Sequence, residues 1–372
     1  MTYLKAKRFK VLNDHKKIIV KTSVPGKTLI SGEYSILEGS NGLSFAVDKR
    51  LNCYVSYSKG IKIKSNFCNF EEIYKNYNDI KIKNDKFDIL RNAVHKALIN
   101  NDLNNVSIEI NSEIDPSYGI GSSSALIISI ISSLRIYKEI IKKGDKFKNK
   151  DLMSLEKYLS DAKVGFNWQR ENQKRASGYD FLTEVVGGFV AFESGIVHKK
   201  DIWLYEFNHI NTVYDKNKYF RLYVGGKGAP TTSTTNRTYA QLKEKNLFIS
   251  LKKINDKITN ETTKFINNYE IKINNFLYII KDTFKEHLNI ISETDGKLPE
   301  KWVSHIISLE GFEKSFNFKS TGAGGEDALL FIGDFDSVPN LDSDLKKIGL
   351  HRLDCSIACE GIYSEILNMD KK

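Results

Sequence analysis

Short segments in which apolar and polar residues alternate are frequent in the first third of the chain, and they predict β-strands. In residues 18–24 most side chains are β-branched, a type that favours extended backbone. The Pro25-Gly26 pair is expected to end this strand, and residues 27–30 to resume it before a turn at Ser31-Gly32. Residues 45–58 and 106–110 predict further strands, with a peripheral hairpin or loop over the polar residues 59–86.

Other segments carry apolar residues at helical spacing. They predict helices over residues 89–98, 126–134 and 152–162, a mostly helical stretch over 236–292, and a helix around Asp344. Strands are predicted over residues 189–192, 220–224, 328–332 and 351–358. Composition shifts near residue 200, and 372 residues are enough for two domains of about 150 residues each. We therefore predict two α+β domains, over residues 1–205 and 206–372.

The chain has a net charge of +10 at neutral pH and an isoelectric point near 9.1. Its basic residues are interleaved with acidic ones along the whole chain, whereas a nucleic-acid-binding surface needs clustered basic residues. We expect no nucleic-acid partner, because a small anionic substrate explains the sign of the charge equally well. No apolar run reaches the ~18 residues of a membrane span, and the basic N-terminus lacks the apolar segment of a signal peptide. We expect a cytoplasmic protein without a membrane partner, either a monomer or a homodimer.

A glycine- and serine-rich loop precedes one of the predicted helices and contains Gly119, Gly121, Ser122, Ser123 and Ser124. Free N–H groups and a partial charge of about +0.5 at a helix N-terminus attract phosphate. Glycine lets the backbone approach a ligand closely, and the hydroxyls can bind phosphate oxygens or a metal ion. The same residue types also suit an ordinary helix cap after a tight turn. This loop by itself therefore leaves both interpretations open.

Three further segments carry candidate chemistry. Lys27 follows the Pro-Gly turn, and Asp180 closes the segment Ser177-Gly178-Tyr179-Asp180. Residues 320–327 contain three glycines in four positions, which suits a backbone loop packed against a ligand. Each segment also has an ordinary alternative: a solvated lysine in a hairpin, an aspartate helix cap and a mobile turn.

Taken together, residues 25–34, 116–125 and 321–325 resemble the three motifs of the GHMP kinases. That family includes galactokinase, homoserine kinase, mevalonate kinase and phosphomevalonate kinase. Its middle motif reads approximately P-x-x-x-G-L-G-S-S-A-A, and residues 116–125 read P-S-Y-G-I-G-S-S-S-A, one residue shorter before the first glycine. The resemblance extends from about residue 18 to about residue 365.

The resemblance implies a ribosomal S5-like N-terminal domain and a ferredoxin-like C-terminal domain, with the active site between them. It implies ATP and Mg²⁺ as cofactors. We expect Lys27 to bridge the transferred phosphoryl group and the acceptor, and Asp180 to orient the acceptor or take its proton. The ATP phosphates are expected at Gly119, Gly121, Ser122, Ser123 and Ser124, and the metal ion at Ser123. A carboxylate ligand of the metal stays open between Glu33 and Asp327.

Within the family, the sequence is most similar to the bacterial phosphomevalonate kinases of the mevalonate pathway. Residues 31–38 resemble a G-E-Y-A-V-L-E segment, and residues 223–233 resemble a V-G-W-T-G-x-P-A-S-T segment. The second segment leads into a predicted helix beside Lys227, an arrangement suited to a phosphate group. The substrate-binding residues expected on this basis are Glu33, Tyr34, Ser177, Lys227, Thr231, Thr232, Ser233, Gly322, Ala323, Gly324 and Gly325.

The resemblance therefore implies phosphoryl transfer from ATP to the 5-phosphate of phosphomevalonate, in isoprenoid biosynthesis. The sequence departs from that pattern at Glu326 and Ala328, where glycine and cysteine are usual, and at Gly226, where tryptophan is usual. Three alternatives accordingly stay open: a mevalonate kinase, a kinase of another mevalonate derivative, and a non-catalytic sensor of ATP and a metabolite.

Overall fold

The computed structural model describes residues 18–147, 152, 154–173, 176–193, 206–210, 216–225, 232–322, 324–325 and 328–368. Within this part of the chain, helices pack around two mainly antiparallel sheets. This combination confirms the predicted α+β class.

The first sheet has eight strands, in the order β12-β1-β2-β5-β3-β4, with β6 paired to both β2 and β7. Strands β3 and β5 are parallel, and the other pairs are antiparallel. The strands are β1 (Ile18–Ser31), β2 (Gly42–Ser56), β3 (Ile61–Ser65), β4 (Phe70–Tyr74), β5 (Val106–Ser112), β6 (Phe189–Glu193), β7 (Glu206–Ile210) and β12 (Tyr363–Asn368).

The second sheet has four antiparallel strands in the order β11-β8-β10-β9. Every residue of its central strand β10 and of the neighbouring β9 is buried, which explains why β10 reads as a continuous apolar run in the sequence. The strands are β8 (Phe220–Val224), β9 (Phe316–Ser320), β10 (Leu329–Gly333) and β11 (His351–Arg352).

The helices cover the two sheets and join their cores. One apolar cluster extends from Val24 and Phe45 in the first sheet to Phe276 and Leu330 on the side of the second. The helices are α1 (Asp88–Asn101), α2 (Ser122–Lys143), α3 (Leu155–Asn172), α4 (Tyr179–Val186), α5 (Thr232–Glu244), α6 (Phe248–Asn267), α7 (Ile273–Ser292), α8 (Glu300–Ser308) and α9 (Leu341–Lys347). Among the described residues, no helix combines the length and apolarity needed to cross a membrane.

The predicted break at Pro25-Gly26 is wrong, because β1 continues through it. The chain absorbs the proline by shifting the β1–β2 register between Pro25 and Gly26, and a local irregularity of this kind bends a strand without ending it. A side chain at position 26 would meet the carbonyl oxygen of Ile120 at 2.9 Å. The glycine therefore allows β1 to lie directly against the glycine-serine loop.

Strands from both sides of residue 205, the predicted domain boundary, belong to the same sheet. β7 begins at Glu206 and pairs with β6, and β12 returns from the C-terminal end to pair with β1. The predicted domains 1–205 and 206–372 stay a prediction. The strand predicted over residues 351–358 is shorter than expected, because only His351–Arg352 pairs as a strand with β8.

Candidate active site

The glycine-serine loop leads directly into α2, as the sequence predicts. Gly119 and Gly121 have φ angles of +69° and +94°, values that glycine adopts far more easily than other residues. Helix α2 then begins at Ser122. Its first backbone hydrogen bond runs from the Ala125 N–H to the Gly121 carbonyl, at 3.1 Å. The N–H groups of a helix's first turn have no acceptor within the helix. They are therefore available to an anion such as phosphate.

Strand β1 brings Lys27 to this loop. The backbone N–H of Lys27 donates to the Ile120 carbonyl at 2.9 Å. The side chain is buried, and its Nζ lies 2.8 Å from Asp180 Oδ1 and 3.1 Å from the Tyr179 hydroxyl. Burial alone would lower the pKa of Lys27, but the neighbouring charge of Asp180 raises it above the ordinary value. A fixed ammonium group therefore lies beside the loop, as both a phosphate contact and an acceptor contact require.

Helix α4 supplies Asp180 and also a second acid, Glu184, which the sequence analysis missed. Glu184 is fully buried, and its Oε1 accepts a hydrogen bond of 2.6 Å from the Ser124 hydroxyl. Burial raises the pKa of Glu184 well above its ordinary value. The sequence does carry a signal for it: an acid one helical turn after Asp180 in an otherwise mostly apolar segment.

The third glycine-rich segment packs beneath the same loop. The N–H of Ala328 donates to the carbonyl of Tyr118 at 3.4 Å, and the Thr321 hydroxyl donates to the Ala328 carbonyl at 2.9 Å. Gly322, Gly324 and Gly325 all have positive φ angles, and the N–H of Gly325 donates to the Gly296 carbonyl at 2.8 Å. Ala323 and Asp327 lie outside the described residues, and their predicted roles stay predictions.

Glu33 lies in a buried charged cluster between the two sheets. Its carboxylate forms an ion pair with Lys319 of β9, and its Oε2 lies 3.6 Å from His287 Nε2 of α7. All three side chains are at most 1% exposed. Burial alone would raise the pKa of Glu33, but Lys319 and His287 hold it below the ordinary value. The structure therefore gives the Glu33 carboxylate a partner within the protein, and its predicted contact with substrate stays a prediction.

The remaining predicted substrate residues lie around these groups. Tyr34 has a φ angle of +56° and is buried against apolar residues of α5, α6 and α7. Ser177 comes directly before Gly178, the residue that precedes α4. Helix α5 begins at Thr232, about four residues before the predicted helical stretch of 236–292 and within the segment expected to lead into it. Lys227 and Thr231 lie outside the described residues, as do the side chains of Thr232 and Ser233.

A cavity of about 320 Å³ opens beside Ser123, and the sequence analysis did not find it. It lies between α1, the start of α2 and the end of α3. Its lining combines apolar and aromatic side chains with amides, an acid and a cation, and includes Asp88, Ile89, Lys96, Ile127, Trp168, Gln169 and Gln173. A concave site with apolar walls and a few polar groups is typical of small-molecule binding.

The residues at the loop fit a magnesium ion that arrives with a triphosphate. Mg²⁺ is commonly held by substrate phosphates and water, with only one or two protein oxygens. Ser123 lines the cavity together with Gln169, whose buried Oε1 has no hydrogen-bond partner among the described residues. These two oxygens would hold the ion, and the described residues contain no cluster of three acids, histidines or cysteines for a metal.

Replacing Gly121 with alanine is expected to destabilise the protein more than an ordinary glycine replacement does. The new Cβ would lie 2.6 Å from Glu184 Oε1 and 2.9 Å from Lys27 Cγ. Strain at positive φ costs about 1–2 kcal/mol, and the overpacking adds about 1–3 kcal/mol. Gly349→Ala is the matched control, because Gly349 has a φ of +83° and open space around it. Equal loss of unfolding free energy in both variants, measured by denaturant titration, would contradict this packing.

Comparisons with known proteins find relatives for the part of the chain that contains the loop. Residues 88–178 match the GHMP kinases N terminal domain, the segment that runs from α1 through the loop to the turn before α4. The mevalonate kinase of Saccharolobus solfataricus is 26% identical over 179 residues, which are 48% of this chain and 52% of that enzyme. The chain thus matches about half the length of that relative. The phosphomevalonate kinase of the same organism is 26% identical over 323 residues, 85% of this chain and 90% of the relative.

The fold is likewise similar to solved structures of such enzymes. Streptococcus pneumoniae phosphomevalonate kinase in complex with phosphomevalonate and AMPPNP aligns with a TM-score of 0.67. The alignment covers 93% of this chain and 99% of that structure, at 13% sequence identity, and therefore supports the fold alone. The chain thus combines two mainly antiparallel sheets, a glycine-serine loop at a helix N-terminus and a segment that matches a known kinase domain. Residues 88–178 therefore resemble a GHMP kinase N-terminal domain, and the chain is similar to a mevalonate kinase and to a phosphomevalonate kinase.

Proposed function

We propose that this protein is an ATP-dependent small-molecule kinase that phosphorylates a mevalonate derivative, with phosphomevalonate as the preferred acceptor. The observation that carries the proposal is the contact between the phosphate-binding loop and the Lys27–Asp180 pair. A backbone hydrogen bond of 2.9 Å between Lys27 and Ile120 joins them. The Lys27 ammonium group and the N-terminus of α2 can therefore contact the same bound phosphate.

The cavity beside Ser123 supports ATP as the donor. A nucleoside bound between the aromatic ring of Trp168 and the apolar side chain of Ile89 would point its phosphates toward the start of α2. Base stacking on an aromatic ring contributes about 1–3 kcal/mol. Lys96 also lines this cavity and offers a positive charge to the phosphates.

Phosphoryl transfer depends mainly on positioning and on neutralising charge. Donor and acceptor are both anionic, and two unit charges ~4 Å apart repel by about 4 kcal/mol at an effective dielectric constant near 20. Lys27 and the N-terminus of α2 offset this repulsion, and bound Mg²⁺ supplies further neutralisation of the phosphates. Asp180 holds the Lys27 ammonium group at 2.8 Å and orients the acceptor beside it.

Two observations favour a phosphorylated acceptor. Helix α5 begins at Thr232, within the segment for which the sequence analysis predicts a second anion site, and a helix N-terminus can bind phosphate. The match to a phosphomevalonate kinase also covers 85% of this chain, whereas the match to a mevalonate kinase covers 48%. The role of Lys227 and of residues 231–233 in this second site is part of the proposal.

The test is a measurement of ADP release from ATP with a panel of acceptors: phosphomevalonate, mevalonate, mevalonate 3-phosphate, homoserine and galactose. We expect phosphomevalonate to give the highest kcat/KM, with Mg²⁺ required. Activity restricted to mevalonate would replace the proposed acceptor and leave the kinase assignment intact. Binding of ATP without phosphorylation of any acceptor would instead favour the metabolite sensor.

A further inference from the structure

Glu184 lies behind the phosphate-binding loop and makes contacts that the proposed mechanism does not use. Its Oε1 accepts the 2.6 Å hydrogen bond from Ser124. The same oxygen is 2.6 Å from the point where a Cβ on Gly121 would lie, and Lys27 Cγ is 2.9 Å from that point. Glu184 and the stem of Lys27 therefore pack side by side against the same face of Gly121 in the loop.

The hydroxyl of Ser124 is committed to this contact. Ser124 is 2% exposed, and its oxygen lies 2.6 Å from Glu184 Oε1 and 3.1 Å from the Gly121 carbonyl. A hydroxyl has one proton to donate, and the shorter contact goes to Glu184. The serine thereby ties the first turn of α2 to helix α4, which also carries Asp180.

An uncharged Glu184 suits a site that binds anions. Lys27 and Asp180 form a pair with no net charge, and an ionised Glu184 would make this cluster negative and repel a triphosphate. The groups that face Glu184 are Ser124 on α2, Lys27 on β1 and Asp180 on α4. Glu184 Oε2 has no hydrogen-bond partner among the described residues, and burying an ionised oxygen in that condition is costly. The neutral acid avoids the repulsion and lowers the cost of burial.

We propose that Glu184 is a positioning residue that holds Ser124 and the phosphate-binding loop at a fixed distance from Lys27 and thereby sets the affinity for the nucleotide. This inference rests on the proposed function only in taking the nucleotide to bind at the loop. It assigns no chemical step to Glu184.

The test compares Glu184→Ala with Glu184→Gln. Binding of Mg²⁺ with AMPPNP is measured by calorimetry, and KM for ATP and for the acceptor by ADP release. Glu184→Ala is expected to weaken AMPPNP binding and raise KM for ATP by roughly tenfold, the effect of one lost buried hydrogen bond, with KM for the acceptor changed less than threefold. Glu184→Gln keeps an uncharged acceptor for Ser124 and is expected to stay within about threefold of the unmodified protein.

Thr183→Val provides the matched control, because Thr183 is equally buried on the same helix but faces away from the loop. Its hydroxyl contacts Ser44 at 2.5 Å and the Tyr179 carbonyl at 2.8 Å. We expect this variant to lose thermal stability with no change in AMPPNP affinity. Ser124→Ala serves where Glu184→Ala does not fold, and it is expected to weaken AMPPNP binding to the same degree.

Unchanged AMPPNP affinity in folded Glu184→Ala would overturn the inference, and so would a Glu184→Gln variant as impaired as Glu184→Ala. Neither result would affect the kinase assignment, because the unmodified protein is tested for ADP release separately. If the protein phosphorylates none of the acceptors, AMPPNP binding by the unmodified protein and the Glu184 variants still tests the role of Glu184.

Discussion

Lys27→Ala is expected to abolish phosphoryl transfer, lowering kcat by about 10³-fold or more, as removal of one essential cation does in such sites. The ammonium group lies beside the glycine-serine loop and is 2.8 Å from Asp180. Its loss removes the positive charge between donor and acceptor and leaves Asp180 as an unpaired anion there. The measurement is kcat for ADP release at saturating ATP and acceptor, with circular dichroism to verify folding.

Lys21→Ala is the matched control for this variant. Lys21 lies on the same strand and also pairs with a carboxylate, Glu365, at 2.7 Å, but it belongs to the β1–β12 edge of the sheet, away from the loop. We expect its kcat to stay within about twofold of that of the unmodified protein, since a half-exposed ion pair contributes little. Comparable loss of activity in both lysine variants would contradict the role assigned to Lys27.

The effect of Asp180→Asn distinguishes a phosphate acceptor from a hydroxyl acceptor. A phosphate acceptor is already deprotonated at neutral pH and needs little help from a base, whereas a hydroxyl acceptor would lose about 10²–10⁴ in rate without one. With phosphomevalonate we therefore expect a modest decrease in kcat, caused by poorer positioning of Lys27. If Asp180→Asn leaves turnover unchanged while Lys27→Ala abolishes it, Asp180 is not the base.

Lys319→Met is expected to cause the largest loss of stability. The substitution leaves Glu33 as a buried charge, and breaking a buried ion pair by removing one partner costs about 3–5 kcal/mol. An unfolding entropy of about 2.1 cal/mol/K per residue makes 1 kcal/mol worth about 1.3 °C in a chain of 372 residues, so Tm should fall by roughly 4–6 °C. Differential scanning calorimetry measures this change. Lys264→Met on the surface, where Lys264 pairs with Glu261, is expected to change Tm by less than about 2 °C.

The double variant Glu33→Leu with Lys319→Met tests the cause of that loss. Replacing both members of a buried pair with apolar residues is often neutral or stabilising, so the double variant should recover much of the lost Tm. A double variant less stable than Lys319→Met would show that the pair contributes more than the unpaired charge costs.

Mild acid is expected to lower stability in the same way as loss of the Glu33–Lys319 pair. Because the pKa of Glu33 lies below its ordinary value of 4.5, its stabilisation is present above that pH and is lost as the pH falls through the lower folded value.

Much of the secondary structure was accessible from the sequence, because it follows from local preferences. The apolar spacing from Ile89 to Leu98 gave α1, and the β-branched run after Ile18 gave the start of β1. The break predicted at Pro25-Gly26 failed for a non-local reason: pairing with β2 on one side and contact with Ile120 on the other keep the chain extended. The return of β12 to the first sheet likewise depends on a partner strand more than 300 residues away in sequence.

The sequence by itself determined the shape of the glycine-serine loop, because positive φ angles at Gly119 and Gly121 and a helix start at Ser122 are local consequences of residue type. It also singled out Lys27 and Asp180, though not that their side chains meet. Only the tertiary structure decided that Glu184 supports Ser124 and that Lys319 neutralises Glu33 across 286 positions of sequence. A charged or polar group that is removed from water needs a polar partner beside it. Which residue becomes that partner depends on how the chain folds and not on the neighbouring sequence.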